Sequence, residues 1–272
     1  MYQADSIILD IIHLAETDPT LIRSHGKIAF NKCQDVQSSQ PITFTEEMSY
    51  LTLPDWNPFI RGSFSFQFRT NEPNGLLAFG KRARKKKHQR FIKELDFFAI
   101  EILDGFLYLI INFGFGVEKV VAYGFRLDDG LLHRVTLIHQ GKKGKVDVDG
   151  ESHSYRIRNR NHLREESRFR MYLGGLGHSR PFPYQVWTAM LNQGFIGCIQ
   201  DVSIDGDNLE LMELVRLQEP QGIELHCPVV QPQCSSYPCL HNGQCHDGWN
   251  RFICDCSGTG FSGSMCHIRE YI

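Results

Sequence analysis

The chain has 272 residues, of which 42% are hydrophobic, and a formal net charge of −2 at pH 7. That length allows more than one domain, and that apolar content allows a packed core. The near-balance of charge argues against whole-chain attraction to nucleic acid or to an acidic partner, so any electrostatic recognition has to be local.

In chain order, residues 5–33 come first: Asp5, an apolar stretch from Ile7 to Leu14, an acidic turn with Pro19, a short strand at Ile28-Ala29-Phe30, and Cys33. The same plan returns at 207–227, with Asp207, an apolar stretch from Leu209 to Leu217, Pro220, Ile223 to Leu225, and Cys227. The second copy closes a domain, so the first is expected to be the tail of a preceding copy, whose own cysteine would pair with Cys33. Gln34 to Gln40 are polar and suit a linker.

The middle of the chain reads as β-structure. Ser63-Phe64-Ser65-Phe66-Gln67-Phe68-Arg69 alternates, with three Phe on one face. A more continuous apolar strand covers Leu95 to Ile102, and Asp104-Gly105 turns it into a return strand at Phe106 to Asn112. Further strands are expected at Arg134 to His139, Lys145 to Asp149, Arg170 to Leu173 and Ile196 to Ile204. Asn74-Gly75, Asp129-Gly130, Asp149-Gly150, Gly174-Gly175 and Asp205-Gly206 punctuate them. Many short strands at this spacing predict an all-β antiparallel sandwich.

Nine cysteines are unevenly placed, and six of them fall between Cys234 and Cys266. That density belongs to a small scaffold stapled by disulfides, which forms in an oxidising, extracellular compartment. Met1 to Asp5 has neither the charged nor the apolar region of a signal peptide. No apolar run approaches ~18 residues, the length of a membrane span. With an odd cysteine count, the chain reads as a segment of a longer protein.

Gly62 to Phe66, Phe68-Arg69-Thr70, Asn74 to Leu77, Asp104 to Leu107, Val148-Asp149-Gly150, Leu173 to Leu176 and Phe195 to Gly206 together resemble a laminin-G (LNS) domain. Leu132 stands before His133 where that family often has Trp, and is expected to fill a core position. The six C-terminal cysteines have the spacing of an EGF-like domain. Leu53-Pro54-Asp55-Trp56-Asn57, Asp96 to Glu101, Val186 to Ala189, Asp247 to Arg251 and Cys254 to Gly260 resemble the α-neurexins. The resemblance implies a jelly-roll-like β-sandwich followed by a disulfide-rich EGF-like domain. It divides the chain into the tail of a second LNS domain (1–33), a third LNS domain (34–227) and a second EGF-like domain (230–267). It also implies the disulfides Cys198–Cys227, Cys234–Cys245, Cys239–Cys254 and Cys256–Cys266.

Three sets of site residues follow. The resemblance implies a calcium site at the rim of the sandwich, with the Asp96 carboxylate and the backbone carbonyls of Phe113 and Ile196 as oxygen ligands. Lys81, Arg82, Arg84, Lys85, Lys86, Lys87 and Arg90 form a basic run that has to be exposed and could attract heparan sulfate or another acidic surface. Cys234 to Cys239 fits an O-glucosylation pattern at Ser236, and Cys245-His246-Asp247 fits an Asp hydroxylation pattern at Asp247. Val230 to Gln233 supplies no acidic residue of the kind that calcium-binding EGF domains use.

No Gly-x-Ser-x-Gly, His-Glu-x-x-His or phosphate-loop motif is present, and Asp128, Asp129, Asp147 and Asp149 sit in turn or strand contexts. The expectation is a module that is not an enzyme and binds extracellular protein ligands or neighbouring domains, in the ectodomain of a single-pass cell-surface receptor at the synapse. The alternative is a matrix glycan-binding module that uses the 81–90 run.

Overall fold

The computed structural model describes residues 40–58, 61–82, 96–113, 116–122, 124–157, 168–175 and 183–269. Contacts divide the chain into Met1–Ser38 and Ser39–Ile272, and every described residue belongs to the second part. The expected tail of a preceding domain at 1–33 lies outside the described residues.

The sandwich begins with β1 (Ile42–Phe44), β2 (Leu51–Trp56), β3 (Gly62–Arg69), β4 (Gly75–Arg82), β5 (Phe97–Leu103), β6 (Phe106–Asn112) and β7 (Glu118–Val121). It continues through β8 (His133–Gln140), β9 (Lys143–Val148), β10 (Glu151–Arg156), β11 (Phe169–Leu173) and a one-turn helix α1 (Trp187–Met190). It ends with β12 (Gly197–Ile204), β13 (Asp207–Asn208), helix α2 (Leu211–Gln218) and β14 (Ile223–Glu224). One sheet runs β10-β9-β8-β3-β12-β1-β14, with β13 added to β12, and the other runs β2-β11-β4-β5-β6-β7. The named strands pair antiparallel throughout.

Side-chain alternation explains the layers. Phe64, Phe66 and Phe68 of β3 all point into the core and are fully buried, while the residues between them are half-buried. They meet Leu77, Phe98, Ile100 and Phe169 from the facing sheet. β4 and β5 are buried on both faces. Their outer face, with Leu76, Phe79, Phe97 and Ala99, is covered by Val186 and Ala189 around α1. That double burial is why β5 reads as a continuous apolar run instead of an alternating one.

Three of the Asp-Gly turns have positive φ at both residues: Asp104-Gly105, Asp149-Gly150 and Asp205-Gly206. This is the turn chemistry of a two-residue hairpin, whose twist matches that of the strands. Asp205 does a second job. Its Oδ1 accepts from Trp56 Nε1 at 3.1 Å and from the Ser63 amide at 2.9 Å, which ties β2 and β3 to the end of β12.

Two expectations change. Leu132 is 49% exposed and does not fill the core; the interior place beside it belongs to His133, whose ring lies 5.7 Å from that of Phe68. The apolar stretch from Leu209 contains an amphipathic helix, α2, which buries Leu211 and Val215 four residues apart. Its last residue, Gln218, clasps β2: the Thr52 amide donates to Oε1 at 2.9 Å, and Nε2 donates to the Thr52 carbonyl at 2.8 Å.

The small C-terminal domain has a 3-10 turn at Cys234–Ser236, a hairpin of β15 (Gln244–Asp247) and β16 (Phe252–Asp255), and a second of β17 (Phe261–Ser262) and β18 (Ile268–Arg269). The disulfides are Cys198–Cys227, Cys234–Cys245, Cys239–Cys254 and Cys256–Cys266, the pairing that the resemblance implies. Cys198–Cys227 spans 29 residues. It ties the end of the sandwich to β12 and contributes about 3–4 kcal/mol in the chain-entropy account.

Candidate functional site

The three expected calcium ligands do not converge. Asp96 and Phe113 are neighbours, because Phe97 pairs with Asn112 at the end of the β5–β6 ladder. Ile196 lies elsewhere: Gly194 bridges to Leu76 and Phe195 bonds to Gly174, near the start of β4. β4 then runs ~20 Å before it reaches Arg82, beside Asp96. Two of the three groups expected to bind the ion are also engaged. Arg82 Nη1 donates to Asp96 Oδ2 at 2.8 Å in a largely buried ion pair, and Thr70 Oγ1 donates to the Ile196 carbonyl at 2.7 Å. A guanidinium therefore neutralises the carboxylate where a hard cation would need it, and Asp96, Phe113 and Ile196 do not fit a common calcium site. Among the described residues, no group of three or more His, Cys, Asp or Glu side chains could hold a metal ion.

The basic run is only partly described. Lys81 Nζ lies 5.7 Å from the centre of the Tyr172 ring, and Arg82 is held by Asp96. Arg84, Lys85, Lys86, Lys87 and Arg90 lie outside the described residues. In the EGF-like domain Ser236 is exposed, and its hydroxyl donates to the Gln233 carbonyl at 3.1 Å. Asp247 Oδ1 accepts from the amides of Gln233 at 2.5 Å and Cys234 at 2.8 Å. It thereby anchors the entry of the domain to its first hairpin.

His133 sits between two carboxylates, with Nδ1 2.7 Å from Asp149 and Nε2 3.0 Å from Asp129. This arrangement resembles half of a catalytic relay, but each carboxylate also caps a turn. Asp149 Oδ1 takes the Arg134 amide at 2.8 Å, and Asp129 Oδ1 takes the Leu131 amide at 2.8 Å. The cluster fixes the entry into β8, in line with the structural reading of these aspartates.

The most elaborate polar site joins the two domains, and it was not singled out from the sequence. β3 ends at Arg69, and Thr70 closes a short turn by accepting the Glu72 amide at 2.9 Å. The turn points Glu72 toward the EGF-like domain, where it is only 4% exposed. Glu72 Oε1 accepts from the Trp249 amide at 2.8 Å and from Arg251 Nε at 2.8 Å, and Oε2 accepts from Arg251 Nη2. This is a two-pronged guanidinium–carboxylate pair, the strong form of such contacts. The bond to Glu72 raises the Arg251 pKa above its ordinary value, desolvation opposes it, and the charges of Glu72 and Glu47 add to it.

Arg69 completes the joint. Its Nη2 donates to the Pro228 carbonyl and to Cys227 Sγ, and its guanidinium lies 5.5 Å from the centre of the buried Trp249 ring. Trp249, Asn250 and Arg251 form the tip of the β15–β16 hairpin, so the knot docks through one loop. A Glu in a turn carries no sequence signature. The legible signal was the Trp and Arg at a hairpin tip of a domain too small to bury them internally.

Comparison with known proteins agrees with this architecture. Residues 68–207 match the laminin G domain family and residues 234–264 match the EGF-like domain. Neurexin-3a of Danio rerio is 39% identical over 279 residues, which span 100% of this chain and 16% of that protein. Neurexin 1 of Drosophila melanogaster is 37% identical over 97% of this chain and 14% of its own length, and Neurexin-2 of Mus musculus is 37% identical over 98% and 16%. The chain thus spans about one sixth of the length of these curated relatives. Among solved structures, the LG1-3 region of the laminin alpha2 chain superposes with a TM-score of 0.56 at 21% identity, over 71% of this chain and 36% of that one. Domains LG4-5 of the mouse laminin alpha1 chain give 0.53 at 20%, over 71% and 48%. Those two likenesses concern the fold alone. The family match takes in just over half of the chain, on an antiparallel sandwich of this topology, and the chain therefore belongs to the laminin G domain family.

Proposed function

We propose that this chain is an adhesion-receptor module of the neurexin kind, which binds protein ligands at the neuronal cell surface or holds neighbouring domains of its own receptor in fixed geometry. It works by binding and not by catalysis. The observation that carries this reading is the similarity to neurexins across sandwich and EGF-like domain together, over 97–100% of the chain. Four disulfides among the described residues suit an extracellular setting. The clamp at Glu72 supports the second half of the reading, because it fastens the EGF-like domain to the sandwich. Partner binding here does not depend on an ion held by Asp96, Phe113 and Ile196.

A cell-surface binding assay tests the reading. Soluble chain 1–272 is applied to cultured neurons before and after surface treatment. Binding that survives heparinase and is lost after mild trypsin digestion of the cells fits a protein ligand. Binding abolished by heparinase would transfer the role to the glycan reading.

A further inference from the structure

β10 is the terminal strand of its sheet, with β9 on one side and no strand of the described residues on the other. The Ile157 amide donates to the Lys142 carbonyl at 2.9 Å, which sets the phase of the ladder. Bonding alternates along an antiparallel strand, so Glu151, His153 and Tyr155 direct their backbone groups at β9, and Ser152, Ser154 and Arg156 direct theirs outward. Among the described residues no backbone bond reaches the outward groups of these three, and their side chains are exposed. An open edge of this kind is a template for one more strand.

The side chains beside that edge carry one sign of charge. Arg156 stands directly opposite Lys143, and Ser154 opposite Lys145. Both are pairs of the closer, non-hydrogen-bonded kind, with Cα atoms about 4.5 Å apart. All four side chains project from the outer face of the sheet, away from the buried Tyr155, Val146 and Val148. Lys142 adds an exposed cation at the same end. Among the described residues, Lys142, Lys143, Lys145 and Arg156 have no ion-pair partner, and like charges directly opposite one another are destabilising. The carboxylate on that face of the hairpin, Asp147, is taken up by the turn: it accepts from the Gly150 amide at 3.1 Å and from the Ser152 hydroxyl at 2.6 Å. Glu151 lies on the other face of β10, with Tyr155.

We propose that the β10 edge docks an extended acidic segment of a partner protein, which adds to the sheet as a further strand. Its main chain pairs with the outward groups of Ser152, Ser154 and Arg156. Its alternate residues, Asp or Glu on the outer face, lie beside Arg156 and reach toward Lys143. In strand addition the main-chain bonds supply affinity and the alternate side chains supply specificity. The opposed pair Lys143 and Arg156, a cost in the isolated chain, then becomes a fork around a carboxylate. A second copy of this chain brings the same cations to the edge and is repelled. An acidic glycan matches the charge but has no peptide main chain to pair with the edge. The partner is thereby narrowed within the protein-binding reading, on which this assignment rests. Titration with a purified peptide can fail while trypsin-sensitive binding to cells persists, so the two are separable.

The test is an NMR titration of the ¹⁵N-labelled full chain with N-acetyl-Thr-Glu-Thr-Glu-Thr-Glu-Thr-amide, whose termini are uncharged, and with the same peptide carrying Gln in place of Glu. The Glu peptide is expected to give saturable shifts and slowed hydrogen exchange at the Ser152, Ser154 and Arg156 amides. The Gln peptide is expected to bind roughly tenfold more weakly, because hydrogen bonds to charged groups are the stronger class. Arg156→Glu is expected to lose the response. Ser154→Pro removes an outward N–H and leaves the bonds to β9 in place, a substitution that edge strands accept; it is expected to lose the response while the β9 amides keep their shifts. Absence of a saturable shift, an equal response to the Gln peptide, or full binding by Ser154→Pro would each overturn the proposal. So would shifts at Lys143 and Arg156 produced by a heparin oligosaccharide and not by the Glu peptide, which would assign the patch to a glycan.

Discussion

At the scale of single residues, His139 and Asp96 show how burial decides chemistry. His139 is fully buried between β8 neighbours and packs against Tyr155 and Phe113. The Gly141 carbonyl lies 3.0 Å from Nε2, so Nε2 carries the proton and Nδ1 accepts the Tyr155 hydroxyl at 3.0 Å. Desolvation lowers the His139 pKa from 6.5 to about 4, against a smaller opposing effect of the Gly141 bond; burial alone raises that of Tyr155. The sign follows directly. Above pH 6.5 the neutral ring is present in folded and unfolded chain alike, and its contribution to stability is complete. As pH falls from 6.5 toward 4, the unfolded chain takes up a proton that the folded one refuses, and about 3 kcal/mol is lost. Urea unfolding across that window is expected to show the loss in wild type and a shallower dependence in His139→Phe. For Asp96→Ala, the exposed cost is that of stranding Arg82, about 1–3 kcal/mol. Calorimetry with added calcium is expected to register no heat that depends on Asp96.

At the scale of elements, legibility followed the number of buried faces. β3 declared itself because every second residue is Phe. β5 and β6 declared themselves as apolar runs joined by an Asp-Gly turn that adopts the expected positive φ. β10 did not, because it is an edge strand with polar outward residues, and Tyr155 is its one fully inward side chain. β2 carries Pro54 yet is a strand, which is possible because it too lies at a sheet edge, where a missing donor faces no partner. The calcium set failed for a related reason. Each residue was placed at a strand end, but which ends meet depends on register and strand order, and no local pattern encodes either. Gly174 illustrates the opposite case, a local signal with a tertiary cause. It has φ +93°, and a Cβ there would lie 2.1 Å from the Phe44 ring. Gly174→Ala is expected to cost about 2–4 kcal/mol through backbone strain and overpacking together, measurable by thermal unfolding.

At the scale of the whole molecule, the residues that couple the domains come from distant parts of the chain and are silent when read singly. Arg69 and Glu72 look like an ordinary strand end and turn, while Trp249 and Arg251 look like a hairpin tip. Together they bury an aromatic ring and the Glu72 carboxylate between sandwich and knot, with the half-exposed Arg251 gripping that carboxylate by two prongs. A segment that presents two domains in one orientation can act as a rigid unit within a longer receptor, which is what the adhesion reading requires of it. Removing Glu72 withdraws the acceptor from Trp249 and Arg251 at once and is expected to undock the knot without unfolding it, since its three disulfides hold it internally. The most direct measurement is ¹⁵N relaxation of the intact chain. The account predicts one shared rotational correlation time for EGF-like and sandwich amides in wild type, and a shorter one for the EGF-like amides in Glu72→Ala. Independent tumbling of the two domains in wild type, or shared tumbling that persists in Glu72→Ala, would contradict it.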